Sequence, residues 1–305
     1  MAIGSRRAHH QLTFAVLSPG VAAFALLQSL VIPVLTTVQH ELHTTQGAAT
    51  WVLTAYLLSA SIMTPILGRV GDIIGKERVF VATLIALAVG SLLAAVASSI
   101  GVLIVARVIQ GIAGGMVPVA FGIIRDEFPA GKVTGAVGAL ASLTAVGAGL
   151  GIVLAGPIAD GLGYRWLFWL PMILTVVAAV SAVLFVPESP VRSPGRISWL
   201  SAALLSAWLV ALLVALSNAP EWGWGSGRVI GLLAGAVVLA AGWVAAELRA
   251  STPLIDMKMM RGDHHVRGGR VRWPARPRAR RQDSGHFRVP GRMRGNDRPG
   301  IRASS

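Results

Sequence analysis

Gly68-Arg69-Val70-Gly71-Asp72-Ile73-Ile74-Gly75-Lys76-Glu77-Arg78 separates two apolar runs, Trp51 to Leu67 and Val79 to Ala97. Each run is long enough to cross the hydrocarbon of a bilayer as a helix, which takes about 20 residues. The charges between them are costly in lipid, so they hold the connection at a polar boundary. The glycines let the two helix ends turn and approach closely. The stretch predicts a helical hairpin joined by a short charged loop.

The rest of the chain repeats this pattern. Of its 305 residues 54% are hydrophobic and 13% charged, with a mean hydropathy of +0.68. A soluble domain carries about a quarter charged residues. Apolar runs stand at 12–38, 47–67, 79–98, 101–123, 134–159, 165–186, 198–217 and 228–248. The fold class expected is therefore an all-α multi-span membrane protein. A polar N-terminus (1–11) leads into a six-span bundle (12–186). A Pro- and Ser-rich linker (187–197), two additional spans (198–248), a polar segment (249–260) and an arginine-rich tail (261–305) follow. The first run is too long for a signal-peptide core and lacks a small-residue cleavage pattern, which makes it a retained span. With no cysteine in the chain, disulfides are excluded.

Charge sets the expected orientation. Arg6, Arg7, Arg69, Lys76, Arg78, Arg125, Lys132, Arg192, Arg196, Arg249 and Lys258 all fall on one side of the eight runs. Only Arg165 and Arg228 fall in the opposite loops. The positive-inside rule then places the N-terminus in the cytoplasm, with an even number of spans in the cell membrane. Trp51, Trp166, Trp222 and Trp224 suit an aromatic belt at the outer interface. Thirteen of the 27 basic residues lie in 261–305, all of them Arg, in a composition expected to be disordered. Such a tail could bind anionic lipid or nucleic acid, or regulate. The abrupt change of usage favours a third reading, an out-of-frame translation that replaces further spans.

Three motifs carry a family resemblance. Gly68, Asp72, Gly75, Lys76 and Arg78 match the pattern Gly-x-x-x-Asp-x-x-Gly-Arg/Lys-x-Arg/Lys, while Glu77 stands where a base is common. The loop thus resembles the signature loop between spans 2 and 3 of the major facilitator superfamily. Arg107-Val-Ile-Gln110-Gly111 resembles the family's Arg-x-x-Gln-Gly in span 4. An arginine inside a span normally faces a partner or a wet cavity; the plain alternative is a side chain snorkelling to the interface. Gly147-Ala-Gly149-Leu-Gly151 with Gly156-Pro157 resembles the span-5 motif of the drug/proton antiporter branch, although Asp160-Gly161 replaces the paired glycines that usually follow. On the residues themselves, Gly147 and Gly151 permit close packing, and Pro157 should break the helix ladder near its outer end. Tyr164-Arg-Trp-Leu-Phe-Trp-Leu-Pro171 is similar to the opening of span 6 in that branch.

The resemblance implies a secondary transporter of the 14-span branch, truncated after about eight spans. The implied substrate is a small amphipathic or cationic compound, with the proton as coupling ion. It places Arg107, Gln110 and Gln28 on the substrate or proton pathway. Gly68, Asp72, Gly75, Lys76, Arg78 and Asp126 become a cytoplasmic gate in which Lys76 pairs with Asp126. Gln28 stands where the branch commonly has an Asp and cannot carry a proton. A single half would have no closed cavity.

The function classes excluded are clear. There is no phosphate-cradling Gly-Lys-Ser/Thr loop, no His-Glu-x-x-His and no nucleophile elbow, so neither an enzyme nor an ATP-driven pump is expected. No cofactor is implied. His40 and His43 beside Glu41 are too few for a metal site. The expected partners are the lipid bilayer, the substrate and the proton, with no specific nucleic acid. The alternative class is a non-transporting membrane scaffold or anchor whose basic tail binds anionic lipid or nucleic acid.

Overall fold

The computed structural model describes residues 2–185 and 198–249, with side chains from residue 10 onward. By contact the chain divides into Met1–Met260 and Arg261–Ser305, and only the first unit contains described residues. The expectations for the linker 187–197, for nearly all of 249–260 and for the tail 261–305 lie outside the described residues.

Every regular element among the described residues is helical. In chain order these are α1 (Ala2–Leu30), α2 (Leu35–Glu41), α3 (Gln46–Ile74), α4 (Lys76–Ala95), α5 (Ile100–Gly111), α6 (Met116–Glu127), α7 (Ala130–Leu162), α8 (Trp166–Phe185), α9 (Trp199–Trp222) and α10 (Gly227–Arg249). Eight helices are long and apolar enough to cross a membrane, with α5, a 3-10 turn at Ile112–Gly115 and α6 forming one of them. The multi-span, all-helical class read from the sequence is the one observed.

Capping and glycine set several boundaries. The hydroxyls of Thr45, Ser99 and Ser198 accept hydrogen bonds from Ala48 N, Val102 N and Ser201 N at the starts of α3, α5 and α9. These bonds satisfy helix N–H groups that have no partner within the helix. Gly75 stops α3 at φ 116°, a conformation L side chains rarely adopt.

Three expectations are corrected, and span 4 shows a local feature beyond them. The stretch Gly68–Arg78 is not a loop. α3 continues helically through Gly68, Arg69 and Asp72 to Ile74, and α4 begins at Lys76, so the turn is Gly75 alone. A positive-φ residue suffices to reverse the chain, and continued helix satisfies backbone groups at the membrane boundary. The run 12–38 is not one helix. It ends at Leu30 and resumes as α2 after Pro33, which lacks the N–H to continue the ladder. The fourth span narrows to a 3-10 turn over Ile112–Gly115. Finally, Gly156-Pro157 does not break α7, which runs on to Leu162. Prolines also stand inside α1, α3, α8 and α9 without ending them, as Pro19, Pro65, Pro171 and Pro220. In hydrocarbon no water satisfies a freed backbone group, so helix persists around a proline.

The bundle carries apolar surface outward. Val146, Ile152 and Val153 of α7, and Val177, Val183 and Leu184 of α8, are exposed, as suits contact with lipid tails. Inside, α1 packs on α7 and α8, α4 on α8 and α5, and α3 on α5; α9 packs mainly on α10 and also on α3. Close approach depends on glycine. A Cβ on Gly147 would lie 3.1 Å from the Ala22 carbonyl oxygen, and one on Gly151 would lie 2.7 Å from that of Leu26, both on α1. Gly147 and Gly151 thus both lie close against α1, whereas a Cβ on Gly156 would meet nothing within 4 Å. Gly151→Val should therefore destabilise the bundle by about 1–3 kcal/mol through overpacking against backbone. Gly156→Ala should leave stability within about 0.5 kcal/mol of the parent. Thermal unfolding of the detergent-solubilised protein separates the two.

Candidate functional site

The span-4 arginine lies wholly inside the protein. Arg107 is 0% exposed and does not snorkel to an interface. Its Nε donates to the Val52 carbonyl at 3.2 Å and its Nη1 to Gln110 Oε1 at 2.7 Å. Its guanidinium carbon lies 4.4 Å from the centre of the Tyr56 ring, a cation–π distance. Gln110 Nε2 donates in turn to the Ser91 hydroxyl at 3.1 Å. Three helices therefore hold one charge: α3 through Val52 and Tyr56, α4 through Ser91, and α5 itself. Nη2 is buried without a hydrogen-bond partner.

Glycines bring the helices within reach. A Cβ on Gly90 would sit 2.6 Å from Gln110 Cγ and 2.9 Å from the Ala106 carbonyl oxygen. One on Gly111 would sit 2.8 Å from the Tyr56 carbonyl oxygen. The Ser59 hydroxyl closes the contact by donating to the Val108 carbonyl at 2.7 Å. Arg107 and Gln110 are thus brought together but are fully buried rather than bordering an open path. Gln28 sits half-buried on α1, outside this network of α3, α4 and α5.

A second polar cluster surrounds the Gly75 turn. Lys76 Nζ donates to Asp126 Oδ2 at 2.7 Å, the pair the resemblance implies, and stands 3.8 Å from Asp72 Oδ1. Lys76 crosses to α6 over Gly122, where a Cβ would lie 2.8 Å from its Cδ. A groove of about 420 Å³ opens between α3 and α6, lined by Thr64, Pro65, Gly68, Arg69, Asp72, Lys76, Pro118, Gly122, Arg125 and Asp126. A Cβ on Gly68 would meet nothing within 4 Å, and Asp72 is 43% exposed on the groove wall. Arg78 points outward.

Sequence reasoning missed Tyr56, Ser59, Ser91 and Gly122, since each is an ordinary residue within an apolar helix. It also missed that Glu77 is buried, with neither carboxylate oxygen hydrogen-bonded. The departure of Glu77 from the motif's usual base was the one signal available. Among the described residues no group of three or more His, Cys, Asp or Glu is placed to hold a metal ion.

The profile of the Major Facilitator Superfamily matches residues 17–261. The tetracenomycin C resistance and export protein of Streptomyces glaucescens is 29% identical over 251 residues, covering 82% of this chain and 47% of that protein. The probable actinorhodin transporter of Streptomyces coelicolor is 32% identical over 227 residues, 72% of this chain and 39% of its own length. The chain spans less than half the length of these curated relatives. Among solved structures, that of the POT family transporter PepTSo matches with a TM-score of 0.55 at 17% identity, over 78% of this chain and 52% of that one. That likeness is one of fold.

The Lys76–Asp126 bond joins two largely shielded charges, and hydrogen bonds to charged groups contribute about 1.5–3 kcal/mol. Lys76→Gln and Asp126→Asn should each destabilise the bundle within that range. In a double-mutant cycle the pair should cost less than the two singles together. Unfolding of the purified variants checks both statements.

Proposed function

The chain belongs to the major facilitator superfamily, and we propose that α1–α8 form one half of a proton-coupled exporter of small amphipathic or cationic molecules. The placement is the cell membrane, with the N-terminus and the Gly75 end in the cytoplasm. The basic residues at that end support the orientation. Relatives named for export of tetracenomycin C and transport of actinorhodin support the activity.

The observation that carries the proposal is the interior arginine. A charge in the core of a membrane bundle costs several kcal/mol and has no packing virtue that an apolar side chain lacks. An interior charge on which three helices converge supports a working role for this residue.

Alternating access then assigns roles. Two halves rock about a site near the bilayer midplane. Arg107, Gln110 and Gln28 are assigned to the substrate or proton pathway, as the resemblance of spans 1 and 4 to the family implies. The Gly75 cluster serves as the cytoplasmic gate. Asp72 on the groove wall is assigned to meet the positive N-terminal end of a helix from the opposing half, with Lys76 and Asp126 joining the two helix ends and exposed Arg78 completing the gate. The likeness to the drug/proton antiporter branch supplies the coupling ion.

The test is accumulation of an uncharged hydrophobic dye in efflux-deficient bacteria. The cells express the chain alone or together with the C-terminal half of the tetracenomycin relative. Lower accumulation that a protonophore abolishes, in either arm, is the expected result, and Arg107→Gln should remove it. Unchanged accumulation in both arms, with the chain present in the membrane fraction, contradicts the proposal.

A further inference from the structure

A cavity of about 350 Å³ opens at the end of the bundle away from the Gly75 turn. α7 starts just after Glu127, at the Gly75 end, and runs 33 residues to Leu162, so its turn into α8 lies at the far end. α2 lies there too, immediately before α3 begins its 29-residue run toward Gly75. Glu41 of α2 forms one wall of the cavity. Tyr164, Arg165, Trp166 and Trp169, from the turn and the start of α8, form the other.

Two opposite charges share this cavity without joining. The ion pairs among the described residues are those of Lys76, and Glu41 and Arg165 form none with each other. Arg165 is held by its own side instead. Its Nη2 donates to the Ala97 carbonyl at 3.4 Å, and its guanidinium carbon stands 6.0 Å from the centre of the Tyr164 ring. A carboxylate and a guanidinium held apart across one aromatic-walled space are complementary to a zwitterion with a short spacer. The guanidinium fork matches a phosphate or carboxylate, and Glu41 matches an ammonium that can donate N–H bonds.

An apolar track leads away from the same cavity. Trp166, Ile173, Val177, Val180 and Leu184 are all exposed, and steps of seven, four, three and four residues put them on one face of α8. The track starts at a cavity residue and runs about 27 Å, close to the thickness of the hydrocarbon layer. Trp166 at its head suits the headgroup level. A water-soluble zwitterion would leave the track unused, whereas a lipid uses both parts. We propose that the cavity binds the headgroup of a phospholipid bearing a primary ammonium, with the phosphate on Arg165, the ammonium on Glu41 and the acyl chains along α8. The site requires only that the bundle sits in a bilayer and does not depend on the transport reading above.

The test counts lipid retained by the purified full chain in native mass spectrometry. The detergent micelles carry equal amounts of dioleoyl phosphatidylethanolamine, phosphatidylcholine and phosphatidylglycerol. The first equivalent retained is expected to be phosphatidylethanolamine, preferred about tenfold or better over each competitor. Phosphatidylcholine has the phosphate but no ammonium N–H, and phosphatidylglycerol has no cation for Glu41. Glu41 is exposed on the short α2, so replacing it leaves the core intact. Glu41→Gln should remove the preference, and Glu41→Lys should turn it toward phosphatidylglycerol. Arg165→Gln should weaken retention of all three lipids, and Arg165→Lys should restore part of it. Equal retention of the three lipids by the parent overturns the inference, as does a phosphatidylethanolamine preference that survives Glu41→Lys. Free phosphoethanolamine that displaces the lipid at equal concentration overturns the lipid assignment and makes a soluble zwitterion the ligand.

Discussion

A guanidinium in hydrocarbon is the constraint from which this bundle is built. Estimates of the cost of an unpartnered arginine at the centre of a membrane helix run from about 3 to above 10 kcal/mol. Arg107 avoids most of that cost by drawing a backbone carbonyl and a ring from α3 and an amide from its own helix. The amide is itself held from α4 by Ser91. Such contacts are short, so the helices must be closer than ordinary side chains permit. Gly90 and Gly111 supply the room, each at a point where a Cβ would fall within 3 Å of its neighbour. The 3-10 turn at Ile112–Gly115 lies where span 4 passes close to α3, with Gly114 against Ala60 and Gly115 against Leu67.

The same logic places the polar cluster at the Gly75 turn. Lys76 reaches Asp126 because Gly122 clears its path, and the shared ion pair fastens α4 to α6. One arginine ties α3, α4 and α5 in the interior, and one lysine ties α4 to α6 at the end. α4 is common to both ties. It also packs along α8, which carries the order onward to α1 and α7. Such bracing favours motion of the bundle as one body.

Much of this was readable from the sequence. Eight apolar runs gave the helices, since a span must be long and continuous to cross lipid. The motifs around Lys76, Asp126, Arg107 and Gln110 resemble the family pattern closely enough to imply the Lys76–Asp126 pair. What the sequence hid falls into two kinds. Local geometry was misjudged where a polar stretch looked like loop: Gly68 to Ile74 is helix, because backbone satisfaction at a membrane boundary outweighs a glycine-rich composition. Pro157 was misjudged for the same reason. The neutral partners were invisible, because Tyr56, Ser91 and Ser59 become polar ligands only when three helices converge. No spacing along one helix announces that.

The central claim is that Arg107 is sealed inside the bundle and clamped by neutral partners. Side-chain nitrogen NMR of arginine in the labelled chain, held in lipid nanodiscs and transferred to deuterated water, tests it most directly. The account predicts a slowly exchanging Nε–H signal for Arg107, outlasting that of exposed Arg78 by orders of magnitude and lost in Gln110→Ala. An Arg107 signal that exchanges as fast as that of Arg78 would contradict it.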